Sequence, residues 1–180
     1  MRALVDSVEA EFRRYKKLAE GALAQLTDSE LDATASAADN SVAVIVQHLS
    51  GNLRSRFTDF LSSDGEKPWR DREREFEARA AGRDELMAAW ERGWAALAGA
   101  LAELDDDRLG RAVTIRGQPL TVVEALHRAL AHVAYHVGQI VFVAKGLRGA
   151  DWRYLSIAPG RSAEYNRNPT RERPPGRPGS

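Results

Sequence analysis

The sequence predicts an all-α fold, a four-helix bundle, and three observations support this prediction. Four segments of the 180-residue chain repeat apolar residues at intervals of three or four, which is the period of an amphipathic helix. Capping or turn-forming residues separate these segments, and most of the connections are short. The chain has no cysteine, so disulfides are excluded, and its length is sufficient for one hydrophobic core.

The first predicted helix covers about residues 2–26. Its apolar positions are Leu4, Val8, Phe12, Tyr15, Leu18, Ala22 and Leu26. Thr27 and Glu30 then have the spacing of a capping box, which predicts that a short helical turn follows. Residues 33–40 form a small polar connection.

The second predicted helix is capped by Asn40 or Ser41 and extends to about Leu61. Its core stripe consists of Val42, Val46, Leu49, Leu53, Phe57 and Phe60. Residues 62–68 contain turn-forming residues and end this helix. The charged stretch 69–79 predicts a long connection to the third helix, and such connections are often functional lids. An arginine among Trp69–Glu73 could meet an anionic substrate group, and a plain exposed loop is the alternative.

The third predicted helix covers about residues 84–104, with inward-facing Leu86, Trp90, Trp94, Leu97 and Leu101. Residues 112–120 predict a small turn or a short hairpin around residues 116–119. Thr121 and Glu124 form a second capping box, which opens a fourth helix that ends near Lys145 with Gly146 as its stop. This helix is apolar around most of its circumference, so we expect it to be the most buried of the four.

We expect one domain over residues 1–166, followed by a disordered Pro- and Arg-rich tail at 167–180. Residues 152–166 should form a non-helical but ordered coil, because they are too apolar for a free linker. This coil should fold back along the bundle and bury Trp152 and Leu155, and it could wall one side of the site.

Composition excludes several function classes. The 26 basic and 26 acidic side chains cancel, so no net charge attracts nucleic acid or anionic lipid. The most apolar stretch, residues 120–146, contains too many polar residues for a membrane span, and the N-terminus meets a charge too early for a signal-peptide core. A cytoplasmic protein is therefore expected. Without cysteine, thiolate metal sites and a cysteine nucleophile are also excluded.

The candidate chemistry lies on histidines. His132 and His136 are four residues apart, which separates them by about 40° around a helix and about 6 Å along it, so both rings project from one face. His48, at the edge of the apolar stripe of the second helix, is the candidate third ligand of a metal site with open coordination positions. His127 is rotated about 140° from His132 and should lie on the opposite face. Core histidines that bind no metal are the alternative.

Three neighbours of the histidines are also candidates. Asn52 lies one turn after His48 and could hold a water or a substrate oxygen, or belong to a solvated polar stripe. Gln139 lies three residues after His136 and could support that ring or serve only in packing. Tyr135 should line a helix–helix contact.

At these residues the sequence resembles the DinB-like superfamily of four-helix bundles, which includes the YfiT-like proteins classed as metal-dependent hydrolases. It is most similar to a branch that has no established reaction. The segments that carry the resemblance are 46–53, 67–73, 131–140 and 152–166, and the likeness extends over about residues 1–166.

The resemblance implies one histidine from the second helix and an H-x-x-x-H pair from the fourth, which correspond to His48, His132 and His136. It implies zinc, nickel or a similar divalent ion. Superfamily members include thiol S-transferases and isomerases that use bacillithiol, mycothiol or glutathione, although this chain has no recognisable thiol-cofactor signature. Members commonly form homodimers, and the apolar fourth helix with Trp90, Trp94 and Phe142 also favours a homodimer.

The sequence thus predicts a metal-dependent enzyme in which an ion activates water or a low-molecular-weight thiol against a small electrophilic substrate. A metal-binding, stress-related protein without catalysis is one alternative. A helical interaction module whose histidines are only core residues is another.

Overall fold

Four long helices make up most of the computed structural model, which describes residues 1–34, 39–77, 82–170 and 172. They are α1 (Ala3–Leu23), α3 (Val42–Phe57), α4 (Arg83–Ala102) and α5 (Val122–Arg148). The described chain also contains the short helices α2 (Asp28–Leu31) and α6 (Ser162–Tyr165), and one hairpin of β1 (Ala112–Ile115) and β2 (Gln118–Thr121). The predicted all-α bundle is confirmed.

The long helices enclose one core. α3 packs against α4 and α5, α1 packs against α5, and α1 also touches α4. Phe12 of α1 makes edge-to-face contacts with Phe57 of α3 and Trp94 of α4, at centroid distances of 6.5 and 6.4 Å. A Cβ at Gly93 of α4 would lie 2.8 Å from the carbonyl oxygen of Ser50, so a glycine is needed for the close approach of α3 and α4.

The most buried long helix is α3, and our expectation for the fourth helix was wrong. Ten of the sixteen residues of α3 are buried, against eight of the 27 residues of α5. The reason is position: α3 lies between α4 and α5, and the connection that follows it folds back over its remaining face. α5 keeps an exposed side that carries Tyr135 and Phe142.

Caps define where the helices begin. Ser41 caps α3, since its hydroxyl accepts a hydrogen bond from the backbone N–H of Val44 at 3.2 Å. Both predicted capping boxes are present, one between Thr27 and Glu30 and one between Thr121 and Glu124.

Three predicted helix ends were wrong. α1 ends at Leu23 instead of Leu26, because the N–H groups of Gln25 and Leu26 bond three residues back, to Ala22 and Leu23, as in a turn. α3 ends at Phe57 instead of Leu61, because Asp59 adopts a positive φ of 49° and its carbonyl accepts hydrogen bonds from the N–H groups of Ser62 and Ser63. α5 continues through Gly146 to Arg148, since a glycine inside a helix costs only about 1 kcal/mol. Its stop is Gly149, which has the positive φ of 52° that favours glycine.

The hairpin is confirmed, with a tighter turn than predicted. Arg116 and Gly117 both have positive φ, as a two-residue hairpin turn requires. The carboxylate of Asp64 accepts hydrogen bonds from the backbone N–H groups of Glu66, Gly117 and Arg116, and these bonds lower the pKa of Asp64 to about 2. They hold the hairpin tip against the segment that follows α3.

The C-terminal coil docks as predicted but at a different place. Trp152 is buried in the core, and Leu155 is half-buried against Gly21 of α1. The backbone N–H and carbonyl of Arg153 both bond to the side-chain amide of Gln25. The coil contains the short helix α6, so it is not wholly non-helical, and it does not line the cavity described below.

The described residues test three further expectations only in part, namely those about the homodimer, the C-terminal tail and the membrane. Trp90 and Trp94 are buried within their own bundle, so of the aromatics invoked for a homodimer only Phe142 is exposed, and the dimer stays a prediction. The predicted tail at 167–180 lies mostly outside the described residues. Within the described chain, none of the helices combines the length and the apolar character needed to span a bilayer.

Candidate metal centre

The three predicted histidines converge between α3 and α5. Nε2 of His48 lies 3.2 Å from Nε2 of His132. The ring of His136 lies 4.5 Å from that of His132 and 4.9 Å from that of His48, measured between centroids. One ligand nitrogen from each ring lies within 4.8 Å of the others. His127 is exposed and takes no part, as predicted.

This geometry fits a divalent metal ion. Two imidazole nitrogens bound to a tetrahedral zinc at about 2.0–2.1 Å are separated by about 3.3 Å. The distance between the nitrogens of His48 and His132 is 3.2 Å, so those two rings already have the required separation. The cluster could therefore hold one ion through three nitrogens.

The other ring nitrogens determine which nitrogens face the centre. Nδ1 of His48 donates to Oε2 of Glu75 at 2.9 Å, which leaves the Nε2 lone pair directed at His132. Nδ1 of His136 donates to Oε1 of Gln139 at 2.7 Å, so Gln139 supports that ring, as one of the two readings of the sequence expected. Nδ1 of His132 is buried and has no hydrogen-bond partner among the described residues.

Glu75 is the residue of the candidate site that sequence reasoning missed. It lies on a single 3₁₀ turn, Glu73–Phe76, in the connection between α3 and α4. The guanidinium of Arg70 donates two hydrogen bonds of 2.8 Å each to the carboxylate of Glu75. A carboxylate that orients a ligand histidine is the usual outer support of a metal site. The turn has no apolar periodicity, and no spacing in the sequence indicates a contact between positions 27 residues apart.

The connection that carries Glu75 is in part the exposed charged loop that was one alternative, because Trp69 and residues 71–73 are exposed, whereas Arg70 turns inward. The side chain of Arg70 is only 2% exposed, and Lys67 and Glu75 are buried. The side-chain amide of Gln47 on α3 donates to the carbonyls of Arg74 and Glu75, which fixes the turn against the helix. Arg70 is therefore held at the wall of the site by a carboxylate of its own chain.

Gly51 makes room for Glu75. A Cβ at position 51 would overlap Oε1 and Cδ of Glu75, and both atoms are already constrained by Arg70 and His48. Phe76 completes this side of the centre, since its ring lies 4.7 Å from that of His48.

Burial keeps two of the three clustered histidines in the neutral form. Burial, with His136 and His48 nearby, lowers the pKa of His132 to about 3, and burial also lowers the pKa of His136. Neutral imidazoles are the form that binds metal. Burial opposes ionisation of Glu75, but hydrogen bonds from Arg70 and His48 hold the pKa of this carboxyl below its usual value.

A cavity of about 360 Å³ adjoins the cluster. His48, His132 and Asn52 line it, so Asn52 faces the site and not only solvent. Gln139 does not line it. Tyr135 is 64% exposed, and its ring packs on His136 at 4.9 Å, so the expected helix–helix contact of Tyr135 is absent from the described chain.

Comparisons with known proteins agree with the fold and leave the reaction open. The model of the family described as "Protein of unknown function (DUF1572)" matches residues 1–161. No curated protein is similar enough in sequence to count as a relative. The crystal structure of a conserved protein from Enterococcus faecalis is similar, with a TM-score of 0.59 and 19% identity, over 81% of this chain and 96% of that one. At that identity the similarity concerns the fold alone.

Proposed function

Because this chain belongs to the DUF1572 family of proteins of unknown function, we propose a function from the site itself. The protein is a metal-dependent enzyme that holds one divalent ion, zinc or nickel, through His48, His132 and His136. It activates water or a low-molecular-weight thiol against a small electrophilic substrate, as a hydrolase or a thiol S-transferase.

The observation that carries this proposal is the convergence of three imidazoles, two of which, His48 and His132, line a cavity. Three protein ligands leave coordination positions free, which is typical of catalytic zinc, whereas structural zinc usually has four protein ligands. A coordination sphere filled by protein ligands would favour a metal-binding protein without catalysis. The adjoining space of about 360 Å³ is large enough for a small molecule and favours the enzyme.

The chain's own residues would prepare the site as follows. Glu75 fixes the ring of His48, and Gln139 fixes the ring of His136, so two ligands cannot rotate away. Asn52 offers an amide to a substrate oxygen inside the cavity. A bound divalent ion would supply Lewis acidity and make water or a thiol a better nucleophile near neutral pH. The described site shows no other strong activator, and the chain has no cysteine.

The test is a screen of the zinc-loaded and nickel-loaded protein against small esters, amides and alkyl halides, each with and without glutathione or a bacillithiol analogue. Two results together would support the enzyme. Turnover should be absent in His48→Ala, and the wild type should lose turnover when the metal is removed and regain it when the metal is added back. Asn52→Ala should raise KM or lower kcat without changing metal content. Full metal occupancy without turnover on any substrate class would favour the non-catalytic alternative.

A further inference from the structure

Two helices place polar residues along the same cavity at intervals of four. On α3 these are His48, Asn52 and Arg56, and on α5 they include Arg128 and His132. Residues four apart lie on one face of a helix. Each helix therefore presents a metal ligand and an arginine to the same space.

Arginine is the most common residue in the wall of this cavity, and Arg56 and Arg128 lie beyond the histidines along α3 and α5. The five guanidiniums that line it belong to Arg56, Arg70, Arg72, Arg116 and Arg128. Three carboxylates pair with them: Glu66, Glu73 and Glu75. None of these carboxylates lines the cavity, so its wall carries an excess of positive charge.

Several of these guanidinium groups retain unused donors. Nη1 of Arg70 is buried without a hydrogen bond, and the side chain is 2% exposed. Among the described residues, its only ion pair besides that with Glu75 is with Glu66 and is long, at 3.8 Å. Nη1 of Arg56 is also buried, and its 3.3 Å ion pair with Oε2 of Glu66 does not have hydrogen-bond geometry. Burial, opposed by Glu66, lowers the pKa of Arg56. Arg128 has no ion pair among the described residues. Buried donors without acceptors are costly, and an anion in the cavity would supply acceptors to Arg70 and Arg56. The exposed Arg128 would pair with the same anion.

We propose that this arginine-lined end of the cavity is a subsite for a carboxylate or phosphate group, so that the substrate of the metal centre is an anionic small molecule. The statement that the other end of this molecule reacts at the metal rests on the function proposed above. The anion subsite itself is built from residues that are not proposed metal ligands. Arginine suits this role because its planar fork of donors matches both groups.

The helix geometry also sets the length of the molecule. Arg128 is four residues from His132, and Arg56 is eight residues from His48, which corresponds to about 6 and 12 Å along the helix axes. The anionic group would therefore lie about 6–12 Å from the ligands, a distance that a small metabolite can span. Asn52 lies between the two ends.

The test uses the full chain, metal-free and zinc-loaded, titrated with inorganic phosphate and separately with succinate in a calorimeter at low ionic strength. We expect saturable binding in both forms. Arg128→Gln should weaken it by about tenfold or more, because a hydrogen bond to a charged group is lost. Arg128 is exposed and unpaired, so the variant should fold, which circular dichroism checks. The control is Arg14→Gln on α1, which changes the net charge equally at an exposed position outside the cavity and should bind as the wild type does.

The outcomes separate the two proposals. Zinc binding with no saturable anion binding would overturn the subsite and leave the metal centre standing. Anion binding that depends on Arg128, in a chain that binds no zinc, would support the subsite and refute the metal-dependent function. Equal weakening by Arg128→Gln and Arg14→Gln would mean attraction by net charge alone and would overturn the subsite.

Discussion

Nδ1 of His48 lies 2.9 Å from Oε2 of Glu75, which joins the histidine cluster to the connection between α3 and α4. The same carboxylate binds the guanidinium of Arg70. One acidic side chain thus orients a candidate metal ligand and neutralises a buried cation, so its removal should affect both metal affinity and stability.

The first prediction concerns Glu75→Gln. The amide removes the charge that polarises His48, so the affinity for zinc should fall about tenfold or more, measured by competition with a chelator. The matched control is Glu66→Gln, which removes a carboxylate from the same arginine cluster but contacts no histidine. Equal affinities in the two variants would show that Glu75 acts only in the ion-pair network.

The second prediction concerns Gly51→Ala. A methyl group there would displace the carboxylate of Glu75 from His48, so zinc affinity should fall although the helix itself gains from alanine. Gly99→Ala, in α4 with open space around it, should keep the affinity and slightly raise the melting temperature. If Gly51→Ala binds zinc as tightly as the wild type, the position of Glu75 does not matter for the site.

The third prediction is a pH dependence of the metal-free protein. An unfolded histidine takes up a proton near pH 6.5, whereas burial keeps folded His132 neutral down to about 3. The unfolded chain therefore binds more protons between these values, and the free energy of unfolding should fall as pH drops below 6.5. Between pH 6.5 and about 5.5, above the range in which most glutamates titrate, His132→Asn should show a smaller loss of melting temperature. Identical pH profiles would contradict the buried neutral state of His132.

The fourth prediction concerns the C-terminal coil. Truncation after Gly149 removes Trp152 from the core and should cost at least about 2 kcal/mol of stability, since a large apolar side chain loses its burial. Truncation after Arg167 removes no described buried residue and should leave the melting temperature nearly unchanged. Equal melting temperatures for the two proteins would show that the docking of Trp152 contributes nothing.

The sequence was sufficient for the parts of the structure that depend on local periodicity. The helices, both capping boxes and the shared face of His132 and His136 follow from residue spacing within one segment. His48 was found because it lies at the edge of an apolar stripe.

The remaining features depend on contacts between distant segments. Glu75 and Arg70 lie on an irregular connection, where no period indicates which side chain turns inward. The choice between Gly146 and Gly149 as the end of α5 could not be made locally, because both glycines can end a helix and only Gly149 leads directly into the docked coil with Trp152. The cavity that is lined by arginines forms only where α3, α5 and the hairpin come together.

Metal content tests the central claim most directly. Elemental analysis of the purified protein should find about one divalent ion per chain, and alanine at His48, His132 or His136 should abolish it, because two remaining imidazoles bind weakly. His127→Ala should keep full occupancy, since that ring is exposed on another face. Full metal content in His132→Ala, or none in the wild type after zinc is supplied, would contradict the three-histidine centre.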